Sequence, residues 1–473
     1  MTGPGHIPRI DLAGPSSDRD IGVMAMSAIT AAPPVNPMPK SAPIVDDAPV
    51  PTGAKVDTTG TTVDAAALDV PAADAVAGAG QLRPVDPLMT APGAGRPGFI
   101  ATDSAGPAVA NGGWKLYDET NAAPAIVDAV NGAKQVVNAE FFGFTDAGKG
   151  ATLVTALEGA AKRGVEVNVV TDFISALALP PGSYQRMRSK ITDAGGNVIL
   201  TSRIPGSPKA KDTPALKHVD HRKVVTIDGN TGFVGGMNLV PLTDSYKDSM
   251  VGVTGVTAAR LAADQLDRWT RVGGNVTERH TRSVTEALDG APAKTDDPTA
   301  LRIVANAPEQ ERFELTQGYR DAIRNAKERL WIATPGISDR DVMNDIHAAA
   351  KRGVDVRIIA SEKAPVAPPV GWVARSHMTD LAANGGASYE IPGTLHRKAL
   401  IADGEAILSS YNLTKRSADA DHELGIQSSD PKFVAAVQEL LQKDIDSATK
   451  FDPAAFTGPA QKVGSFFAKR FSY

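Results

Sequence analysis

Hydrophobic and polar positions along the chain predict a short series of elements that begins near residue 136. Residues 136–142 have the apolar character of a buried strand. Residues 153–163 have helical spacing that stops at Gly164, and residues 165–170 predict the next strand. This stretch therefore predicts a strand, a helix and a second strand in succession.

The same series recurs about 190 residues later, over residues 329–333, 342–352 and 354–359. The end of the predicted helix is identical in both places, since residues 160–165 and 349–354 share the sequence Ala-Ala-Lys-Arg-Gly-Val. A repeat of this length indicates one supersecondary unit that is used twice, and strand-helix-strand order places the chain in the α/β class.

Each copy is followed by the same set of polar residues. In both, the intervals are two residues from His to Lys and five from Lys to Asp, and then ten or nine from Asp to Asn. The first set is His221-Arg222-Lys223, Asp228 and Gly235-Gly236-Met237-Asn238, and the second is His396-Arg397-Lys398, Asp403 and Ser409-Ser410-Tyr411-Asn412.

Each set predicts a β-hairpin that carries phosphate chemistry. Side chains two apart in a strand point to the same face, so each His lies beside its Lys. The Asp-Gly dipeptides at Asp228 and Asp403 are typical of hairpin turns. An imidazole that can act as a nucleophile, next to groups that bind phosphate, is what phosphoryl transfer requires.

The repeated pattern resembles the HKD motif of the phospholipase D superfamily. The resemblance covers roughly residues 113–445 and is strongest to the bacterial cardiolipin synthase-like branch. It implies an α/β fold of two lobes related by a pseudo-twofold axis, each with a mostly parallel or mixed sheet flanked by helices. It also implies that the two hairpins share one phosphate pocket.

The resemblance assigns roles to residues of both motifs. His221 is expected to attack phosphorus and form a phosphohistidine, while His396 acts as acid and base, although the reverse assignment stays open. The expected catalytic set is His221, Lys223, Asp228, His396, Lys398 and Asp403. The expected phosphate-binding set is Asn238, Asn412, Gly235, Gly236, Ser409 and Ser410.

Four acidic residues, two of them in the motifs themselves, are expected to support these groups. By resemblance, Asp248 and Glu423 bond the second nitrogen of a catalytic imidazole. Asp228 and Asp403 are expected to hold the hairpin turns rather than to touch substrate, although the motif includes them. His422, next to Glu423, is expected at the surface.

Composition shifts predict the domain boundaries. They are a disordered extension rich in Pro, Ala and Gly at 1–112, a first lobe at 113–285, a linker at 286–299, a second lobe at 300–450 and a basic, aromatic tail at 451–473. The tail is expected either to pack on the second lobe or to contact a membrane surface.

Composition also narrows the classes of partner that the chain is expected to bind. The net charge of −5 argues against a dedicated nucleic-acid surface, and the absence of cysteine excludes thiolate metal sites. No metal, cofactor or stable nucleic-acid partner is expected. The expected partner is a phospholipid substrate, and the expected state is a monomer with an internal pseudo-dimer.

The sequence shows neither a run of about 18 apolar residues nor a secretory signal, so no membrane span is expected. In this it departs from the bacterial cardiolipin synthases it resembles, many of which have N-terminal spans. The expected location is cytoplasmic or peripheral to a membrane, with export as an effector as an alternative.

Two other functions remain open. Nucleases of the same superfamily cleave DNA with the same residues, but the small bacterial ones have one motif per chain and dimerise. A non-catalytic binding protein is the second alternative, and the intact His and Lys of both motifs speak against it. The sequence favours a phospholipid phosphodiesterase or phosphatidyltransferase.

Overall fold

The computed structural model describes residues 113–177, 179–201, 218–289, 301–362 and 368–470. The predicted disordered extension lies outside these ranges. The predicted linker begins in the last turn of a helix that ends at Leu288, and its residues 290–299 also lie outside them.

Two mixed β-sheets form the centre of the described structure. The strands of the first are β1 (Trp114–Asp118), β2 (Val136–Phe141), β3 (Glu166–Asp172), β4 (Asn197–Thr201), β5 (Lys223–Ile227), β6 (Thr231–Gly235) and β7 (Ser249–Thr254). Those of the second are β8 (Arg302–Ala307), β9 (Arg312–Phe313), β10 (Arg329–Ala333), β11 (Asp355–Ser361), β12 (Ala387–Ile391), β13 (Ala399–Ala402), β14 (Glu405–Ser409), β15 (Glu423–Ser428) and β16 (Thr449–Lys450).

Helices connect and cover these strands. In the first lobe they are α1 (Ala122–Gly132), α2 (Lys149–Lys162), α3 (Phe173–Leu177), α4 (Ser183–Asp193), α5 (Val256–Arg271) and α6 (Glu278–Leu288). In the second they are α7 (Glu314–Asn325), α8 (Arg340–Lys351), α9 (Pro368–Ala383), α10 (Lys415–Asp419), α11 (Pro431–Asp446) and α12 (Pro459–Arg470). Within the described ranges, none is both long and apolar enough to cross a bilayer.

The two sheets share one strand order. The first runs β1-β7-β6-β5-β2-β3-β4, and the second contains β8-β15-β14-β13-β10-β11-β12 with β9 and β16 added at its edges. Among these named strands, parallel pairing is confined to β2-β3-β4 and β10-β11-β12, and the other pairings are antiparallel. The predicted fold class is therefore confirmed, as are the repeated strand, helix and strand of each lobe.

The hairpin turns are tied to the first strand of each parallel unit. Asp228 and Asp403 have positive φ angles of 51° and 49°, which Asp tolerates better than most residues. The Asp228 carboxylate accepts hydrogen bonds from the amides of residues 134, 135 and 136, at 2.7–3.0 Å. The Asp403 carboxylate accepts three equivalent bonds, each of 2.9 Å, from the amides of residues 327–329.

The lobes share a hydrophobic core. Val234 and Leu261 of the first lobe belong to the same buried cluster as Leu408, Ile426 and Phe433 of the second. Burial of these side chains favours docking of the lobes by about 1.5–3 kcal/mol for each large residue. The apolar contact is not directional, so the register of the interface depends on polar contacts.

A buried ionic chain supplies part of that register. Nε and Nη2 of Arg268 donate to Asp220 at 3.0 and 2.9 Å, and Nη1 lies 3.5 Å from Glu309. Glu309 accepts from His422 Nε2 at 2.7 Å. The amide of His221 in turn donates to the carbonyl of His422 at 3.0 Å. The chain therefore crosses from one lobe to the other next to His221.

We expect Arg268→Ala to lower the free energy of unfolding by about 3 kcal/mol, because it leaves the Asp220 carboxylate buried without its cation. The matched control is Arg271→Ala in the same helix. Its partly exposed pair with Asp267 should contribute less than about 1 kcal/mol. Urea unfolding of both variants measures the difference, and equal effects would show that the ionic chain does not hold the interface.

Candidate active site

The two motif hairpins meet along the interface between the lobes through two symmetric backbone contacts. In the first, the His422 amide donates to the carbonyl of Val219 at 2.8 Å, beside the bond from His221. In the second, the Lys247 amide donates to Thr394 at 2.9 Å and the His396 amide donates to Lys247 at 2.8 Å. The segment before the motif Lys of the first lobe is thus paired with the segment that precedes β15. The segment before the motif Lys of the second lobe is paired with the segment that precedes β7.

This pairing gives each imidazole a carboxylate from the opposite lobe. Nδ1 of His221 lies 3.0 Å from Oε1 of Glu423, and Nδ1 of His396 lies 2.7 Å from Oδ2 of Asp248. An ionised carboxylate only accepts hydrogen bonds, so Nδ1 carries the proton whenever its carboxylate partner is ionised. In the neutral imidazoles Nε2 is then left with a free lone pair.

Small residues make room for these carboxylates. A Cβ on Gly236 would lie 2.4 Å from Oδ1 of Asp248, so a larger residue there would displace the partner of His396. In the second lobe the Ser410 hydroxyl donates to Glu423, and the Ser417 hydroxyl donates to it at 2.7 Å.

Two other members of the expected phosphate-binding set have structural contacts. A Cβ on Gly235 would lie 2.3 Å from the carbonyl of Ser249, on the neighbouring strand β7. The Ser409 hydroxyl accepts from the amide of Tyr411 at 3.1 Å and lies 3.2 Å from the hydroxyl of Tyr319. Both positions therefore support the sheet behind the imidazoles.

The motif lysines lie beside the imidazoles and are buried. Nζ of Lys223 donates to the carbonyl of His221, and Nζ of Lys398 donates to the carbonyl of His396. Nζ of Lys398 is also 3.0 Å from Nδ1 of His396. The two lysine ammonium groups and the two imidazoles thus lie together at the interface between the lobes.

Burial lowers the pKa of both motif histidines and both motif lysines, and neighbouring positive charge adds to this effect at His221, Lys223 and His396. Burial, with the charges of the two motif lysines, holds the pKa of His221 well below 6.5. Burial and then the charge of Lys398 lower the pKa of His396 to about 4. Burial lowers the pKa of Lys223 to about 7 and that of Lys398 to about 8. An anion in the site would relieve this repulsion.

The two carboxylates differ in their ionisation. Burial raises the pKa of Glu423 to about 7, although Lys223 and the two serine hydroxyls act against it. Burial also acts to raise the pKa of Asp248, but the charge and hydrogen bond of His396 lower it below its usual value. Asp248 is therefore the more fully ionised partner at neutral pH.

Asn238 and Asn412 lie in the loops that follow β6 and β14. Oδ1 of Asn238 accepts from the amide of Gly143 at 3.3 Å. Oδ1 of Asn412 is buried without a hydrogen-bond partner among the described residues. Asp228 and Asp403, by contrast, lie at the far ends of strands β5 and β13, because their carboxylates bind the amides that start β2 and β10. They do not join the cluster.

Sequence reasoning missed several residues that contact the site. Phe142 lies 5.1 Å from His221 and Tyr246 lies 6.0 Å from His396, measured between ring centroids. Arg397 donates to the carbonyl of Asp248 at 3.0 Å and pairs with Asp444. A signal for this arginine was present, since His-Arg-Lys occurs in both motifs.

The equivalent arginine of the first motif is also buried. Arg222 pairs with Asp264 of α5, and its Nε lies 3.4 Å from Glu140. The prediction that His422 lies at the surface is wrong, because the residue is 1% exposed and bonded to Glu309. It is buried because its strand segment forms the contact between the lobes.

Among the described residues, no group of three or more His, Asp or Glu side chains is arranged to hold a metal ion. The cationic groups of the cluster are the two lysines, because the lowered pKa values of His221 and His396 keep both imidazoles neutral at pH 7. Their chemistry suits an anionic substrate that enters between the lobes.

Known proteins match this chain over both motif regions. The family model described as "Cardiolipin synthase, PLD-like domain" matches residues 126–268 and 319–445, which together are more than half of the chain. A probable cardiolipin synthase of Bacillus subtilis is 26% identical over 363 residues, covering 74% of this chain and 69% of that protein. Cardiolipin synthase A of Pseudomonas aeruginosa is 28% identical, covering 73% and 70%.

A solved structure shares the fold. The crystal structure of phosphatidylserine synthase from Haemophilus influenzae matches with a TM-score of 0.58 and 14% identity, and the match covers 75% of this chain and 93% of that one. The resemblance expected from the repeated motifs is confirmed. This enzyme belongs to the phospholipase D-like family described by the cardiolipin synthase domain.

Proposed function

We propose that this enzyme is a phospholipase D-type phosphatidyltransferase similar to the cardiolipin synthases. It would cleave a phosphodiester of a membrane phospholipid and pass the phosphatidyl group to a lipid alcohol or to water. The observation that carries the proposal is the pair of imidazoles at the interface, each bonded through Nδ1 to a carboxylate of the other lobe and each next to a buried lysine. Double displacement at phosphorus needs these groups.

His221 is the nucleophile in this proposal. Its lowered pKa keeps the ring neutral at pH 7, and its bond to Glu423 holds the proton on Nδ1. The Nε2 lone pair attacks phosphorus, the bond from phosphorus to the leaving alcohol breaks, and a phosphohistidine forms.

His396 acts first as acid and then as base. The ionised Asp248 carboxylate stabilises its imidazolium, and a phosphate anion in the site would offset the charge of Lys398. Binding of the anionic phosphate lets Nε2 take up a proton, which it then gives to the departing oxygen. In the second step it takes the proton of the incoming alcohol or water as the nitrogen–phosphorus bond breaks. The difference between Asp248 and Glu423 supports this division of roles.

The remaining groups hold the phosphate. Lys223 and Lys398 supply positive charge near the phosphate oxygens, and Asn238 and Asn412 donate amide hydrogen bonds to them. Asp228 and Asp403 keep the two hairpins against their sheets. Because one chain supplies both motifs, a monomer completes the site.

The C-terminal helix α12 is the proposed peripheral membrane contact. It packs on α9, where the Ser465 hydroxyl lies 3.0 Å from that of Ser376, while Phe466 and Phe467 stay 49% and 38% exposed. Its sequence has two Lys and one Arg and no acidic residue. This combination suits an anionic lipid surface.

The proposal is tested by comparing phospholipid and DNA as substrates for the purified protein and for His221→Asn. We expect the wild type to convert phosphatidylglycerol vesicles to cardiolipin or phosphatidic acid, read by mass spectrometry, and His221→Asn to lose roughly 10³-fold or more of this rate. The matched control, His347→Asn, changes a half-buried histidine of α8 that contacts α9, and it should keep the rate. Cleavage of DNA that depends on His221, without lipid turnover, would establish a nuclease instead.

A covalent adduct should locate the nucleophile. We expect wild-type protein that is quenched in cold denaturant at neutral pH during turnover to carry a phosphatidyl group on the peptide with His221, because acid would hydrolyse the phosphohistidine and alkali the acyl esters. His396→Asn should slow both formation and loss of the adduct without moving it. An adduct on His396 would reverse the two roles.

The lysine pKa values predict the basic limb of the pH profile. kcat/KM reports ionisations of the free enzyme, and a lysine that loses its proton no longer attracts phosphate. Since burial lowers the pKa of Lys223 to about 7 and of Lys398 to about 8, we expect kcat/KM to fall as pH rises from 7 to 9. Phosphatidylglycerol suits the measurement because its phosphodiester keeps one charge in this range. A rate that still rises at pH 9 contradicts the expectation.

A further inference from the structure

Two equivalent loops border the site, one from each lobe. The first leaves β6 after Gly235 and returns at Asp248, and the second leaves β14 after Ser409 and returns at Glu423. They are aligned by a buried leucine in each. The carbonyl of Leu239 accepts from the amide of residue 145 at 3.2 Å, and that of Leu413 accepts from the amide of residue 338 at 2.9 Å.

The tips of these loops differ in polarity. Three residues beyond the aligned leucine, the first loop has Leu242 and the second has Arg416. Leu242 is 72% exposed, more than any other large hydrophobic side chain that the structure describes as exposed. Arg416 pairs with Asp421 at 2.6 Å, and its neighbour Lys415 pairs with Asp419 at 2.6 Å. The first tip therefore presents an exposed apolar side chain, and the second presents ion pairs.

The apolar tip is held outward by a fixed turn. The hydroxyl of Thr243 donates to the carbonyls of Asn238 and Val240, each at 3.0 Å. Nζ of Lys149 donates to the carbonyl of Asp244 at 2.7 Å. These bonds fix the backbone on both sides of Leu242, so its exposure follows from the geometry of the loop.

The same loop continues to the site. Tyr246 is half-buried, with its ring 6.0 Å from that of His396, and the loop ends at Asp248, the partner of His396. An apolar and aromatic border thus extends from the exposed leucine to the imidazole that handles the leaving and incoming oxygens. Counted back from the carboxylate at the end of each loop, the position equivalent to Tyr246 in the second loop is the acidic Asp421.

We propose that the first-lobe loop tip, centred on Leu242, docks on a phospholipid bilayer, with the second-lobe tip facing the aqueous side. The occupant is a lipid surface because the site between the loops is cationic, as the phosphodiester of a lipid requires, while only one border is apolar, as its acyl chains require. This inference rests on the proposed function, since a soluble phosphodiester would need no apolar border.

The absence of cysteine from the chain permits a direct test. Leu242→Cys is labelled with an environment-sensitive fluorophore, and Lys415→Cys, at the equivalent ionic tip, is the matched control. On addition of phosphatidylglycerol–phosphatidylcholine vesicles, we expect emission from position 242 to shift to shorter wavelength and rise severalfold. Emission from position 415 should stay near its value in buffer.

Three results would overturn the inference. The first is an unchanged label at position 242, whether or not the protein sediments with the vesicles. The second is an equal response at positions 242 and 415. The third is a response only from a label at Phe466→Cys, which would show that the C-terminal helix docks without the loop.

Turnover separates this inference from the proposed function. We expect Leu242→Ser to lose about tenfold in activity on phosphatidylglycerol vesicles, because the variant loses one leucine that would insert into the bilayer. It should keep its rate on monomeric short-chain phosphatidylglycerol. Equal loss on both substrates would assign Leu242 to the site itself and overturn the docking role. If wild-type protein turns over neither substrate, the proposed function fails, while the fluorophore still decides whether the loop meets the bilayer.

Discussion

The site depends on the exchange of carboxylates between lobes. Neither His221 nor His396 has its carboxylate partner within its own lobe, because Glu423 and Asp248 cross over to them. The paired backbone segments make this exchange geometrically necessary, since each carboxylate follows directly after a residue bonded to the opposite hairpin. The hydrophobic core brings the lobes together, but these directional bonds decide which atoms meet.

The internal repeat is not fully symmetric, and the differences lie around His221. Asp220 and Glu140 are buried there with Arg222 and Arg268, whereas the position equivalent to Asp220 in the second lobe is Leu395. Glu140 has its pKa raised to about 8, chiefly by burial. The two copies of one unit thus have different surroundings, as the two different roles proposed for their histidines would require.

The sequence predicts the local features of this site better than its assembly. The hairpins, the Asp-Gly turns and the strand-helix-strand units depend on residues near one another in the chain, and all are present in the structure. The crossing of Asp248 and Glu423 depends on how two units dock, which no local pattern encodes. The burial of His422 was missed for the same reason, and Arg397 had a visible signal in the repeated His-Arg-Lys but no assigned partner.

The crossed carboxylates also affect how defects in this enzyme are located. A substitution at Asp248 changes a residue of the first lobe. The imidazole that loses the carboxylate fixing its tautomer, however, is that of His396 in the second lobe. The mutation would then map to one half of the chain, while the catalytic group that it impairs would lie in the other half. The two halves consequently form one functional unit, because a substitution of the carboxylate in either half disables the histidine of the other half.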